Sequence, residues 1–141
     1  MEDSGESIKR GQSLVEVALT FPILVMLLLG LLDFGRAYYA LVVLNDAAAE
    51  GAAYAATRQD GGDIVLRVRG AEATSLVPMD LVAVEVSGGP YSVGAGVTVT
   101  VTYQMEPFTP FVTGLVGSRW LTLRGSATQP VLSLSDVGQG G

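Results

Sequence analysis

Between Glu16 and Asp33 the chain carries no charged side chain. Leu14–Leu32 is a run of nineteen residues interrupted only by Glu16, Thr20, Pro22 and Gly30. A helix needs about 20 apolar residues to cross the hydrocarbon of a bilayer, so the length fits a span. A secretory signal is the first rival, and its apolar core is about 7–15 residues long, ending in a small-x-small cleavage site. Here Leu31-Leu32-Asp33-Phe34-Gly35-Arg36 follows, which is a poor site for that enzyme. The run is therefore read as a membrane helix at about 14–32.

What precedes the run is as constraining. Lys9-Arg10-Gly11-Gln12-Ser13-Leu14-Val15-Glu16 places a basic pair before a glycine and one glutamate five residues after it. Lys9 and Arg10 on one flank against Arg36 on the other predict an N-terminus on the cytoplasmic side. Residues 1–11 hold no apolar residues in a pattern that buries a core, and they read as a polar leader. Glu16 at a bilayer centre would cost roughly 2.5–3.5 kcal/mol on insertion scales. Ser13-x-x-Glu16 also reads as a capping box, with Glu16 in the first turn of a helix starting near Ser13. Pro22 removes the hydrogen bond to the Ala18 carbonyl and is expected to loosen the helix there.

Helical character continues past the apolar run. Ala37–Thr57 is alanine-rich and free of proline, so one rod from about Ser13 to Thr57 is expected, on the order of 65 Å long. Its outer half, 33–57, would stand clear of the membrane. Two rows of small residues recur every four positions there: Ala47, Gly51, Ala55 and Ala48, Ala52, Ala56. Small residues at that spacing let another backbone approach. Tyr38, Leu41, Leu44 and Ala48 form a bulkier stripe. One stripe is expected to pack on the chain's own C-terminal part and another to meet neighbouring subunits.

Residues 58–134 read as a small α+β head. Arg58–Asp63 is a turn broken by Gly61-Gly62, with Asp63 as N-cap of a second, amphipathic helix over Ile64–Val77 that Pro78 ends. Leu81–Ser87, Val97–Tyr103 and Trp120–Gln129 alternate with period two, and predict a three-stranded antiparallel meander with one face on the helices. The connection Gln104–Arg119 is longer than a hairpin loop. It contains Glu106-Pro107-Phe108-Thr109-Pro110-Phe111 and a short helical turn at Thr113–Val116; Phe108 and Phe111 are expected to fold back over the sheet edge rather than project as contacts. The tail 135–141 reads as disordered.

The chain has no cysteine and no histidine. Disulfides, His/Cys zinc sites and histidine acid–base chemistry are thereby excluded. The formal net charge of −6 comes without a Lys/Arg stripe, which argues against a nucleic-acid partner. Asp33, Asp46 and Glu50 fall on the rod, and the i,i+4 pair Asp46/Glu50 reads as solvated carboxylates. No catalytic residue, metal site or cofactor is expected, and the chain does not read as an enzyme.

Lys9-Arg10-Gly11 followed by Glu16 and an apolar helix resembles the leader of a type IV prepilin. Gly-Gln-Ser-Leu-Val-Glu-Val-Ala-Leu-x-Phe-Pro, then Leu-Leu-x-Phe-Gly-Arg, and late Val-Thr-Tyr and Phe-Thr-Pro pieces are similar to the TadE-like pseudopilins of tight-adherence systems. The resemblance implies cleavage by a prepilin peptidase between Gly11 and Gln12. It implies residence in the cytoplasmic membrane, then extraction by a pilus assembly machinery into an extracellular filament of like or unlike pilin subunits, serving adhesion or surface motility. It also implies that Glu16 registers an incoming subunit. Gln12 departs from the phenylalanine or methionine found there in many type IV pilins. The alternative reading is a single-pass membrane protein presenting a small binding domain outside the cytoplasm.

Overall fold

A computed structural model describes residues 4–57, 61–71, 77–88 and 93–131, with the side chains of 4–10, 61, 62, 71 and 111 left out. The leading element is α1, Ser4–Thr57, a single helix of 54 residues with Pro22 inside it. It begins before Ser13, which differs from the expected start. Gly5 and Gly11 are the only poor helix formers there, at about 1 kcal/mol each, and a long helix already nucleated downstream propagates through them. Ser13 is thus an interior residue of the uncut chain, and the capping box with Glu16 is not formed. The leader shares the rod.

The lower half of α1 is bare. Large apolar side chains from Leu14 to Leu32 are exposed. The most apolar window has a mean hydropathy of 2.4 and none of it is buried, so α1 is long and apolar enough to cross a membrane. An apolar surface of this extent is far beyond what a water-soluble monomer exposes, and membrane anchoring accounts for it.

The upper half of α1 lies on a three-stranded antiparallel sheet, β1 (Ala83–Ser87), β2 (Gly96–Met105) and β3 (Leu121–Pro130), in the order β1-β2-β3. This is the expected meander. Val99 faces Val86 on one side and Ala127 on the other, and Val101 faces Val84 and Gly125. Val97, Val99, Val101, Tyr103 and Met105 point inward and are buried. The opposite face is wet, with Thr98 and Thr128 sharing a hydroxyl hydrogen bond of 2.8 Å. Alternation of β-branched residues on one face and hydroxyls on the other thus decides which side meets the helix.

Helix α2 runs Gly61–Ala71. Gly61 and Gly62 are helical rather than a breaker, and Asp63 sits in the first turn rather than at the cap, where its charge still favours the positive helix end. The expected continuation over 72–76 lies outside the described residues; Val77 is a bend, and Pro78 leads a 3₁₀ turn, Met79–Leu81. Ile64 and Val68 are fully buried against α1. Arg67 pairs with Glu50 at 2.8 Å, with both side chains partly in water, so the pair adds at most about 1 kcal/mol. The turn at 58–60 and the tail beyond 131 lie outside the described residues.

Candidate functional site

The chain's own architecture uses both rows of small residues. Ala47, Ala48, Gly51, Ala52, Ala55 and Ala56 are all buried beneath the head. Of the two stripes expected on the rod, the small-residue face is thus the one that packs on the chain's own head. The cause is geometric: α2 covers one side of that face and β2/β3 the other, and they meet along its whole width. Gly51 shows the fit. A Cβ there would lie 2.5 Å from Val68 Cγ2 and 3.2 Å from Val99 Cγ1. The bulkier stripe divides instead: Leu44 and Ala48 are buried, while Tyr38 and Leu41 face outward.

Where α1 leaves the head, the structure places a feature that the local sequence pattern did not reveal. The sequence places Asp33 on the rod with Asp46 and Glu50 and gives it no partner, yet its side chain is only 3 % exposed. Its partners lie about 75 residues away in the chain. The N–H of Phe108 donates to Oδ1 at 2.9 Å and that of Thr109 to Oδ2 at 2.8 Å. The Thr109 hydroxyl also donates to Oδ2. Burial pushes the carboxyl pKa up, but the Thr109 hydroxyl, the two backbone N–H groups and the Arg36 guanidinium outweigh it and hold Asp33 below its ordinary value of 3.8. Charge-assisted bonds of this sort are roughly twice as strong as neutral ones.

Arg36 completes the arrangement. One of its terminal nitrogens stands 3.8 Å from Asp33 Oδ1, and its guanidinium lies 4.1 Å from the centre of the Phe108 ring. Phe108 is otherwise exposed, so the expectation that it folds back over the sheet edge is replaced by a contact with Arg36. Phe111 falls within α3, and its side chain is outside the described residues. Helix α3, Pro110–Val116, starts immediately after the clamp, with Thr109 at its N-cap and Pro110 in the first position. The Thr109 hydroxyl does not cap α3, because it is turned to Asp33. Proline preset for a helix start and a threonine engaged elsewhere explain why Phe-Thr-Pro stands at this point.

The clamp overlooks an apolar groove of about 640 Å³ between the upper span and the base of the head. Ile23, Met26, Leu27, Gly30, Leu31 and Phe34 supply one wall from α1, and Met105, Pro107, Val112 and Leu121 the other.

The residues singled out from sequence are distributed as follows. Gly11 and Gln12 lie in the helical stretch of α1, and Glu16 is exposed on it. Pro22 is inside α1, which continues on both sides of it. All four are exposed. Asp46 is exposed, and Glu50 pairs with Arg67. No group of three or more acids suited to a metal ion occurs among the described residues.

No curated protein and no solved structure matches the chain. A family model described as TadE-like protein matches residues 11–53, from the glycine of the leader through the span and most of the upper rod. That match agrees with the tight-adherence resemblance carried by Gly11, Glu16 and the Leu-Leu-x-Phe-Gly-Arg piece: over residues 11–53, on its N-terminal apolar helix, the chain is similar to the TadE-like family.

Proposed function

We propose that the chain is a pilin or pseudopilin subunit of a tight-adherence pilus, without enzymatic activity of its own. The observation that carries this reading is the TadE-like segment, residues 11–53, which spans the glycine, Glu16 and the apolar helix together. A prepilin peptidase cuts between Gly11 and Gln12. Until assembly the subunit sits in the cytoplasmic membrane with its N-terminus inside, and the assembly machinery then draws it into an extracellular filament. The exposure of most large apolar side chains between Leu14 and Leu32 supports an exchange of lipid neighbours for helices of other subunits. Because the small-residue rows are covered by the head, subunit contacts fall on the span and on the outward face of the upper rod, where Tyr38 and Val42 are exposed. The test is mass spectrometry of the protein from its native cells: an N-terminus at Gln12 is expected, and recovery of only the intact Met1 form defeats the proposal.

A second reading is favoured by that same covering of the rod. A head that uses up both small-residue rows also suits a single-pass anchored protein that binds a partner outside the cytoplasm. Shearing surface appendages separates the two, since only a filament subunit leaves with the sheared fraction.

A further inference from the structure

The position of the head along α1 can be followed contact by contact. Gly51 meets Val99, the Leu44 backbone meets Gly125 opposite Val101, and Asp33 holds Phe108 and Thr109. Strand β2 thus descends α1 toward its N-terminal half, and α3 begins at the level where the uncharged run ends. The groove continues the descent, because its α1 wall reaches from Ala37 down to Ile23. Fourteen residues of helix amount to about 21 Å. The facing wall, including Val112 of α3 and Leu121, therefore stands beside the outer part of the membrane-spanning stretch rather than above it.

The exposed side chains at this end of the head have the matching chemistry. Leu115 is 77 % exposed and Val116 48 %, and Trp120 is 46 % exposed. Arg119 lies beside Trp120, 5.8 Å from its ring, and pairs with Glu106. Apolar tips with an aromatic ring and a cation at the same level are what a membrane–water interface selects. Val112 of α3 and Leu121, next to Trp120, line the groove against the span.

From this we infer that the base of the head is a second membrane-contacting surface: α3 and Trp120 insert into the outer leaflet, and phospholipid acyl chains fill the groove between α3 and Ile23–Phe34. The inference rests on α1 spanning a membrane, not on assembly into a pilus. A head seated in this way is held upright at the membrane surface by the Asp33 clamp and by lipid together, which fixes the orientation of the subunit before any partner arrives.

Trp120 is the only tryptophan in the chain, so it reports on its own surroundings. The full chain is reconstituted in phosphatidylcholine vesicles at low protein density, and co-flotation verifies insertion. The same sample is then quenched from the lipid side with acyl-brominated phosphatidylcholine and from the water side with acrylamide. Bromolipid is expected to quench Trp120 emission strongly, as for an interfacial ring, and acrylamide little. The double variant Leu115→Asp, Val116→Asp is expected to reverse the two sensitivities while still co-floating. Failure to co-float overturns the span and the inference with it. Co-flotation with acrylamide quenching and no bromolipid effect overturns the inference alone. Shielding from both quenchers that disappears on dilution in lipid means that a second copy fills the groove, which also overturns it. So does a double variant whose bromolipid quenching is unchanged.

Discussion

Asp33 ties two parts of the chain that local pattern treats separately. Its two carboxylate oxygens take both N–H groups ahead of α3 and one hydroxyl. Asp33→Ala removes all of these acceptors and leaves two backbone donors in a site nearly closed to water. Leaving buried donors unpaired costs about 1–3 kcal/mol, more where the lost partner was charged. A loss of about 3 kcal/mol in head stability is expected for Asp33→Ala, and less for Asp33→Asn, which keeps one acceptor oxygen. Denaturant titration of the full chain in detergent, followed by near-UV circular dichroism, measures it. A change below about 0.5 kcal/mol, the range of an ordinary surface substitution, contradicts the clamp. The same carboxylate sets an acid limit. Its folded pKa is lowered from 3.8, so its contribution is complete above that value and is lost as pH falls through the lower, folded one. Acid titration of the wild type should show stability declining below about pH 4, and Asp33→Asn should flatten that decline. An unchanged acid slope in the variant removes Asp33 as the cause.

At the scale of elements, the crossing of α1 over the sheet is set by two glycines. A Cβ at Gly125 would stand 2.5 Å from the Leu44 carbonyl carbon and 2.6 Å from its oxygen. Those are backbone atoms of a helix packed on both sides, so β3 and α1 must separate to admit a methyl group. At Gly51 the nearest obstacle is a Val68 methyl at 2.5 Å, on the side chain of the shorter helix α2. Overpacking costs typically about 1–3 kcal/mol; Gly125→Ala is expected at or above the upper end and Gly51→Ala nearer the lower. Thermal unfolding of the two variants side by side tests the order. Adding Val68→Ala should relieve part of the Gly51→Ala cost, so the double variant loses less than the sum of the singles. Strict additivity contradicts the Gly51–Val68 contact.

For the whole molecule, the uncut leader runs helically into the span, while the described polar fastening of the head to α1 begins at Asp33. Processing and head folding are therefore separable. Gly11→Asp is expected to stop conversion to the shorter form in the native cells while the protein stays in the membrane fraction. Immunoblotting of fractionated cells reads both at once. Loss of insertion in that variant gives the leader a role other than cleavage. If the clamp and the lipid-facing base act together, Asp33→Ala should also raise the acrylamide sensitivity of Trp120 in vesicles. The lower rod is common to the pilin and the anchored-protein readings, and the fate of residues 1–11 distinguishes them.

The sequence alone determined the parts that rest on local periodicity and solvent preference. An uncharged run of bilayer length has no stable home in water, and Val97–Tyr103 alternates too regularly to be anything but a half-buried strand. From these came the span, the meander and the α+β class. The glycine–glutamate spacing, too, was legible without any coordinates. Only the tertiary structure decided which faces remain available. Small residues every four positions say that something packs closely, not whether it is another chain or the same one, and here α2 and the sheet take the whole face. A carboxylate just past an apolar run likewise looks solvated until its partners are known. Phe108 and Thr109 are brought to Asp33 by the descent of β2 along α1, a long-range placement that no window of sequence around residue 33 contains. Burial and hydrogen bonding are properties of what closes over a residue, and for Asp33 that cover is formed 75 residues later in the chain.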